Sequence, residues 1–123
     1  MRRTLLSIRY RLDRMGIVLS GLCVVHCLAG LVLVSVLGLG GEALLAPVWH
    51  RVGLALAIVI GAVGIGMGVL RHGKLAPLGI ATVGLSAMGG ALVVSHGPRE
   101  AALTVFGVLL VATAHILNLR HAH

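Results

Sequence analysis

Val52-Gly-Leu-Ala-Leu-Ala-Ile-Val-Ile-Gly-Ala-Val-Gly-Ile-Gly-Met-Gly-Val-Leu70 is a run of 19 residues without a charge, closed by Arg51 and Arg71. As a helix it would rise about 28 Å, close to the thickness of a bilayer's hydrocarbon core. Three more uncharged runs, 15–41, 75–95 and 101–119, hold 27, 21 and 19 residues. The last two match a single crossing, and the first suffices for a crossing plus part of a loop. Hydrophobic residues make up 59% of the 123-residue chain and charged residues 11%, with a mean hydropathy of +1.10. A soluble domain of this size would not separate its charges from its apolar runs in this way. The sequence therefore predicts an all-α membrane protein, a four-transmembrane-helix bundle over 15–119. A basic tail is expected over 1–14 and a short tail over 120–123, with no room for a soluble domain.

The charges orient this bundle. Arg2, Arg3, Arg9, Arg11 and Arg14 precede the first run, Arg71 and Lys74 lie between the second and third, and Arg120 follows the fourth. With four crossings these eight of the ten Lys and Arg share one side, against Arg51 and Arg99 on the other. The positive-inside rule puts that side, and both termini, in the cytoplasm of a bacterial inner membrane. A net charge of +7 does not point to nucleic acid, because no basic groove or aromatic platform accompanies it. The first apolar run is longer than the core of about 7–15 residues in a cleaved signal peptide, so it reads as a retained span. Residues 5–14 fit a short basic helix on the inner leaflet.

Small residues at four-residue spacing predict close helix packing: Gly53, Ala57 and Gly61; Gly64 and Gly68; and Thr82, Ser86 and Gly90. Pro47, Pro77 and Pro98 fall near span starts, where proline is tolerated.

Within the first run stands Cys23-Val-Val-His26-Cys27, which holds both cysteines of the chain. Positions i, i+3 and i+4 share a helix face, so the two thiols and the imidazole point the same way. Counted from Met15, Cys23 lies about 12 Å and Cys27 about 18 Å into the span, on either side of the midplane. Ionisable groups at that depth are costly and mark functional sites. A disulfide fits poorly, because i, i+4 Cβ atoms are about 5–6 Å apart and a disulfide wants about 3.5–4.5 Å. A metal bridge fits, since two metal–sulfur bonds of about 2.3 Å add the missing reach. Thiolate and imidazole suit soft or borderline ions: Hg(II), Cu(I) or Zn(II). A divalent ion held by two thiolates is formally neutral, which removes most of the cost of charge in hydrocarbon. His26 can accept a thiol proton or act as a third ligand. The bland alternative stays open, because cysteine is also a small buried hydrophobe and a membrane histidine often bonds a neighbouring helix.

In the fourth run His115 and Asn118 are i, i+3 neighbours on a span antiparallel to the first. His115 lies about 6 Å and Cys23 about 12 Å from the same end, so His115 can add a ligand if the helices touch. It fits equally well as interhelical glue with Asn118. Trp49 and His50 read as outer interfacial residues. His72 and His96 flank turns, and His121 and His123 form at best a weak metal-catching tail.

Two stretches carry a family likeness. Ser20-Gly-Leu-Cys-Val-Val-His-Cys-Leu28 and Ala114-His-Ile-Leu-Asn-Leu-Arg120 resemble the two ends of the MerC-type mercury resistance (mercuric ion transport) domain family. The likeness implies a small four-helix inner-membrane protein, not an enzyme, whose first-span cysteine pair takes up Hg(II) and passes it inward. Carried over, Cys23 and Cys27 bind the ion and His26 assists, with His115 and Asn118 at family-typical positions. The family's importers also carry cytoplasmic-tail cysteines, which this two-cysteine chain does not, and Gly30 stands near where a proline often follows the motif. The expected metal residues are Cys23, Cys27, His26 and His115, with no permanent cofactor. The expected partners are the bilayer, the ion and a cytoplasmic thiol acceptor such as a mercuric reductase. Two alternatives stand beside uptake: a zinc-, copper- or haem-binding or sensing component without transport, and a structural membrane subunit.

Overall fold

Backbone groups in hydrocarbon find no water, so an apolar run that crosses a membrane satisfies them inside a helix. The computed structural model describes residues 1–38, 46–94 and 98–121; the end of the first run at 39–41, Ser95, His96 and His123 lie outside the described residues. Helix α1 spans Arg2–Val32 and continues into a π-helical turn at Leu33–Leu37. Helices α2 (Pro47–His72), α3 (Ala76–Ala91) and α4 (Pro98–Arg120) follow. The described residues contain no strand. The described residues are thus all-α and contain the four expected helices.

Local chemistry sets the helix ends. Pro47, Pro77 and Pro98 all stand in the first turn of their helices, where the missing N–H would be unpaired anyway. Gly73 closes α2 in the left-handed region (φ 68°), and its N–H donates to the Val69 carbonyl at 2.8 Å. Gly38 (φ 59°) is likewise left-handed after the π turn.

Two boundaries differ from expectation. The segment 1–14, expected as a tail, is the start of a 31-residue helix about 46 Å long. Arg9 and Asp13 anchor it, at 3% and 0% exposure, against the other helices. Helix α3 has 16 residues, about 24 Å, so it is shorter than the run 75–95. It tightens after Gly89-Gly90, where the N–H groups of Leu92 and Val93 reach back three residues. The other three helices are each long and apolar enough to cross a membrane.

Helix α4 packs against α1 and α3, and α2 closes the ring between α1 and α3. One apolar layer joins Ala57, Met88, Val108 and Val111, with Cys23 and Leu19 against it. A second joins Ile65, Ala81 and Ala114. Gly84 and Gly107 let α3 and α4 meet backbone to backbone. A Cβ on Gly107 would fall 2.5 Å from the Gly84 carbonyl oxygen and 2.7 Å from Met88 Cγ, closer than real Cβ contacts come. Gly107→Ala is expected to destabilise the bundle by about 1–3 kcal/mol, read as a lower thermal midpoint in detergent. An unchanged midpoint would mean that α3 and α4 do not pack there.

Of the predicted small-residue rows, Gly64 and Gly68 are buried, and so are Ala57 and Gly61. The row in the third span is not a packing face: Thr82 and Ser86 point outward. Their hydroxyls donate to the carbonyls of Leu78 and Thr82 at 2.8 Å, so they face lipid with no polar group unsatisfied.

Candidate functional site

The buried residues of α1 are Arg9, Asp13, Gly16, Ser20, Cys27 and Gly30. With half-buried Cys23 they alternate spacings of four and three, which draws one stripe along a helix. This stripe carries the buried polar residues of α1 and both thiols, while His26 lies beside it, and each part of it meets different partners.

At the end where α1 starts, the stripe enters a hydrogen-bonded network. Lys74 N–H donates to His72 Nδ1 at 3.0 Å, so the His72 proton sits on Nε2, which donates to Asn118 Oδ1 at 2.9 Å. Asn118 Nδ2 then faces acceptors only: Asp13 Oδ2 at 2.9 Å, Asp13 Oδ1 at 3.1 Å and the Gly64 carbonyl at 3.1 Å. Arg9 Nη2 donates to the Asn118 backbone carbonyl at 2.9 Å. Asp13 Oδ1 also receives His115 Nδ1–H at 2.7 Å. Asp13, His115 and Asn118 are all fully buried. A carboxylate in such a place is tolerable only with donors on both oxygens.

Glycines make the space. A Cβ on Gly16 would strike the His115 ring, 2.5 Å from Cδ2 and 2.7 Å from Cε1. A Cβ on Gly68 would strike the Asn118 amide, 2.6 Å from Cγ and 2.8 Å from Nδ2. His115 therefore lies flat on α1, and Asn118 on α2.

Above this network lies a cavity of about 10 Å³ lined by Gly16, Ser20, Cys23, Met88 and His115, room for about one water molecule. The Ser20 hydroxyl donates to the Gly16 carbonyl at 2.8 Å. His115 Nε2 is buried with no hydrogen-bond partner among the described residues.

On the other side of Cys23 a wider cleft of about 200 Å³ opens between α1, α2 and α4. Cys23, His26, Trp49, His50, Gly53 and Thr104 line it. The His26 ring lies 6.4 Å from Trp49 and 6.1 Å, edge-on, from His50. Its Nε2 is buried without a partner among the described residues. His50 Nδ1 lies 3.1 Å from Glu100 Oε1.

The predicted site is thus divided. Cys23 and His26 share the outer cleft, Cys23 and His115 share the inner cavity, and Cys27, 3% exposed, lines neither. Both thiols are free. Among the described residues no three His, Cys, Asp or Glu side chains converge as a metal cluster. His72, read as interfacial, belongs to the Asn118 network, with the His121 ring 5.3 Å away. Asp13 is the functional candidate that sequence reasoning missed. Its signal was there: a lone acid among five arginines, three residues before Gly16 on the stripe that leads to Cys23.

Comparison with known proteins adds one match. A family model described as MerC mercury resistance protein covers residues 13–120, a range that begins at Asp13. No curated protein and no solved structure matches the chain.

Proposed function

The chain belongs to the MerC mercury resistance protein family, and from that premise we propose that it is an inner-membrane uptake protein for Hg(II). The ion binds Cys23 and Cys27 with help from His26, and leaves inward by ligand exchange with cytoplasmic thiols. In this reading both termini face the cytoplasm, which the distribution of Lys and Arg supports. The observation that carries this reading is the position of Cys23. It lines the outer cleft, wide enough to admit a small neutral mercury complex, and also the small inner cavity that Gly16 and His115 line. A soft thiolate suits a soft ion, and exchange between thiolates consumes no energy source.

Uptake of radiolabelled Hg(II) by cells producing the protein tests the reading. The Cys23→Ser and Cys27→Ser variants are expected to fall to the level of cells without the protein while remaining in the membrane. Uptake equal to wild type in both would overturn it.

A further inference from the structure

We propose that the cavity between Cys23 and His115 is a second cation station, with Cys23 Sγ and His115 Nε2 as its donors. Asp13 and Asn118 act on it as positioning residues. The proposal rests on the transport reading above and adds to it a place where the ion goes next.

The argument starts from the tautomer. Lys74 N–H fixes the His72 proton on Nε2, and that proton turns the Asn118 side-chain oxygen, Oδ1, toward it. The Asn118 amide hydrogens must then face Asp13 and Gly64. Asp13 in turn holds the His115 proton on Nδ1, 2.7 Å away. What remains at Nε2 is a lone pair, in a side chain with 0% exposure, without a partner among the described residues and lining a cavity that Cys23 also lines. A buried acceptor left unpaired costs free energy. A histidine held by a carboxylate through its other nitrogen is the usual arrangement of a metal-binding imidazole.

Charge supports the same reading. A divalent ion between two thiolates is neutral, but one thiolate and a neutral imidazole leave it with a positive charge. The Asp13 carboxylate directly behind the ring offsets that charge where no water can. Transfer into the station exchanges one donor for another. The bond to Cys27 Sγ breaks as the bond to Nε2 forms, and Cys27 departs as a thiolate ready for the next ion. Cys23 stays bound, and no electron changes hands. The ligand class is a soft cation content with few donors, because the cavity has room for about one water-sized atom and, among the described residues, no third His, Cys, Asp or Glu converges there.

The test uses the purified full-length protein in detergent, loaded with Hg(II) chloride. Mercury X-ray absorption is expected to show sulfur-only coordination in wild type and one sulfur plus one nitrogen in Cys27→Ser. That variant leaves the buried network untouched, so the result does not depend on a damaged fold. Histidine-nitrogen NMR of Cys27→Ser should show one ring nitrogen moving when mercury is added. Adding Asp13→Asn, which can release the tautomer, should abolish the nitrogen ligand, and Asp13→Asn alone should slow uptake about tenfold or more. Sulfur-only coordination in Cys27→Ser overturns the station while leaving transport by the thiol pair intact. Wild-type uptake by Cys23→Ser and Cys27→Ser overturns the transport reading and the station with it.

Discussion

Asn118→Ala is expected to destabilise the protein by about 3–5 kcal/mol, the cost of breaking one side of a buried charged network. The Asn118 side chain makes four contacts: with His72, with both oxygens of Asp13 and with the Gly64 carbonyl. Interhelical hydrogen bonds in membranes average about 0.6 kcal/mol each, so four ordinary ones would be worth roughly 2 kcal/mol. The excess comes from Asp13, fully buried, which would keep only its bond from His115. Thermal unfolding in detergent, with the retained helix signal as a control, measures the loss. His72→Ala is the comparison. His72 is only half-buried and contributes one bond to the network, so its removal should cost about 1 kcal/mol. Equal losses in the two variants would show that the carboxylate is not the source of the stability.

Gly68→Ala and Gly16→Ala should be as damaging, although each adds only a methyl group. On helix propensity alone, glycine to alanine gains up to about 1 kcal/mol. Sterics reverse the sign. The methyl at 68 would enter the space of the Asn118 amide, and the methyl at 16 that of the His115 ring. Neither group can yield, because the amide is held by its four contacts and the ring by its 2.7 Å bond to Asp13. Helices α1, α2 and α4 must move apart or the network must break, a loss of about 3 kcal/mol or more. Gly79→Ala, with open space around its Cβ, should be neutral or slightly stabilising. Gly53→Ala would place a methyl 3.6 Å from Cys23 Sγ, an ordinary contact, and should be tolerated. If Gly68→Ala matched Gly79→Ala in thermal stability, the close packing around Asn118 would be wrong.

These contrasts show where the sequence was legible. The uncharged runs at 52–70 and 101–119 each became a helix, and the prolines marked the starts of three helices. The Gly64–Gly68 row packed inward as read. The outward-facing row at Thr82 and Ser86 did not, because a hydroxyl can satisfy itself on its own helix, so a small residue in a membrane helix need not seek a neighbour. The antiparallel pairing of α1 and α4 was also legible. It brought His115 against Gly16, nearer the start of α1 than Cys23. The segment 1–14, read as a basic tail with a short helix over 5–14, is helical and continuous with the first span, and the arginines that dominate its composition hide Asp13.

The sequence by itself determined that the chain forms four helices, roughly where they begin and end, and that two thiols and an imidazole share a face of the first. These are local matters. Backbone in hydrocarbon must bond to itself, charges must stay near the ends, and helix geometry sets which neighbours share a face. Tertiary structure alone decided what each group on that face meets. Asp13 finds His115 and Asn118 across sequence separations of 102 and 105 residues. No periodicity encodes such a meeting. It depends on two glycine-lined surfaces coming close enough for a ring and an amide to fit between them, and on a buried carboxylate taking the donors that the packing brings to it.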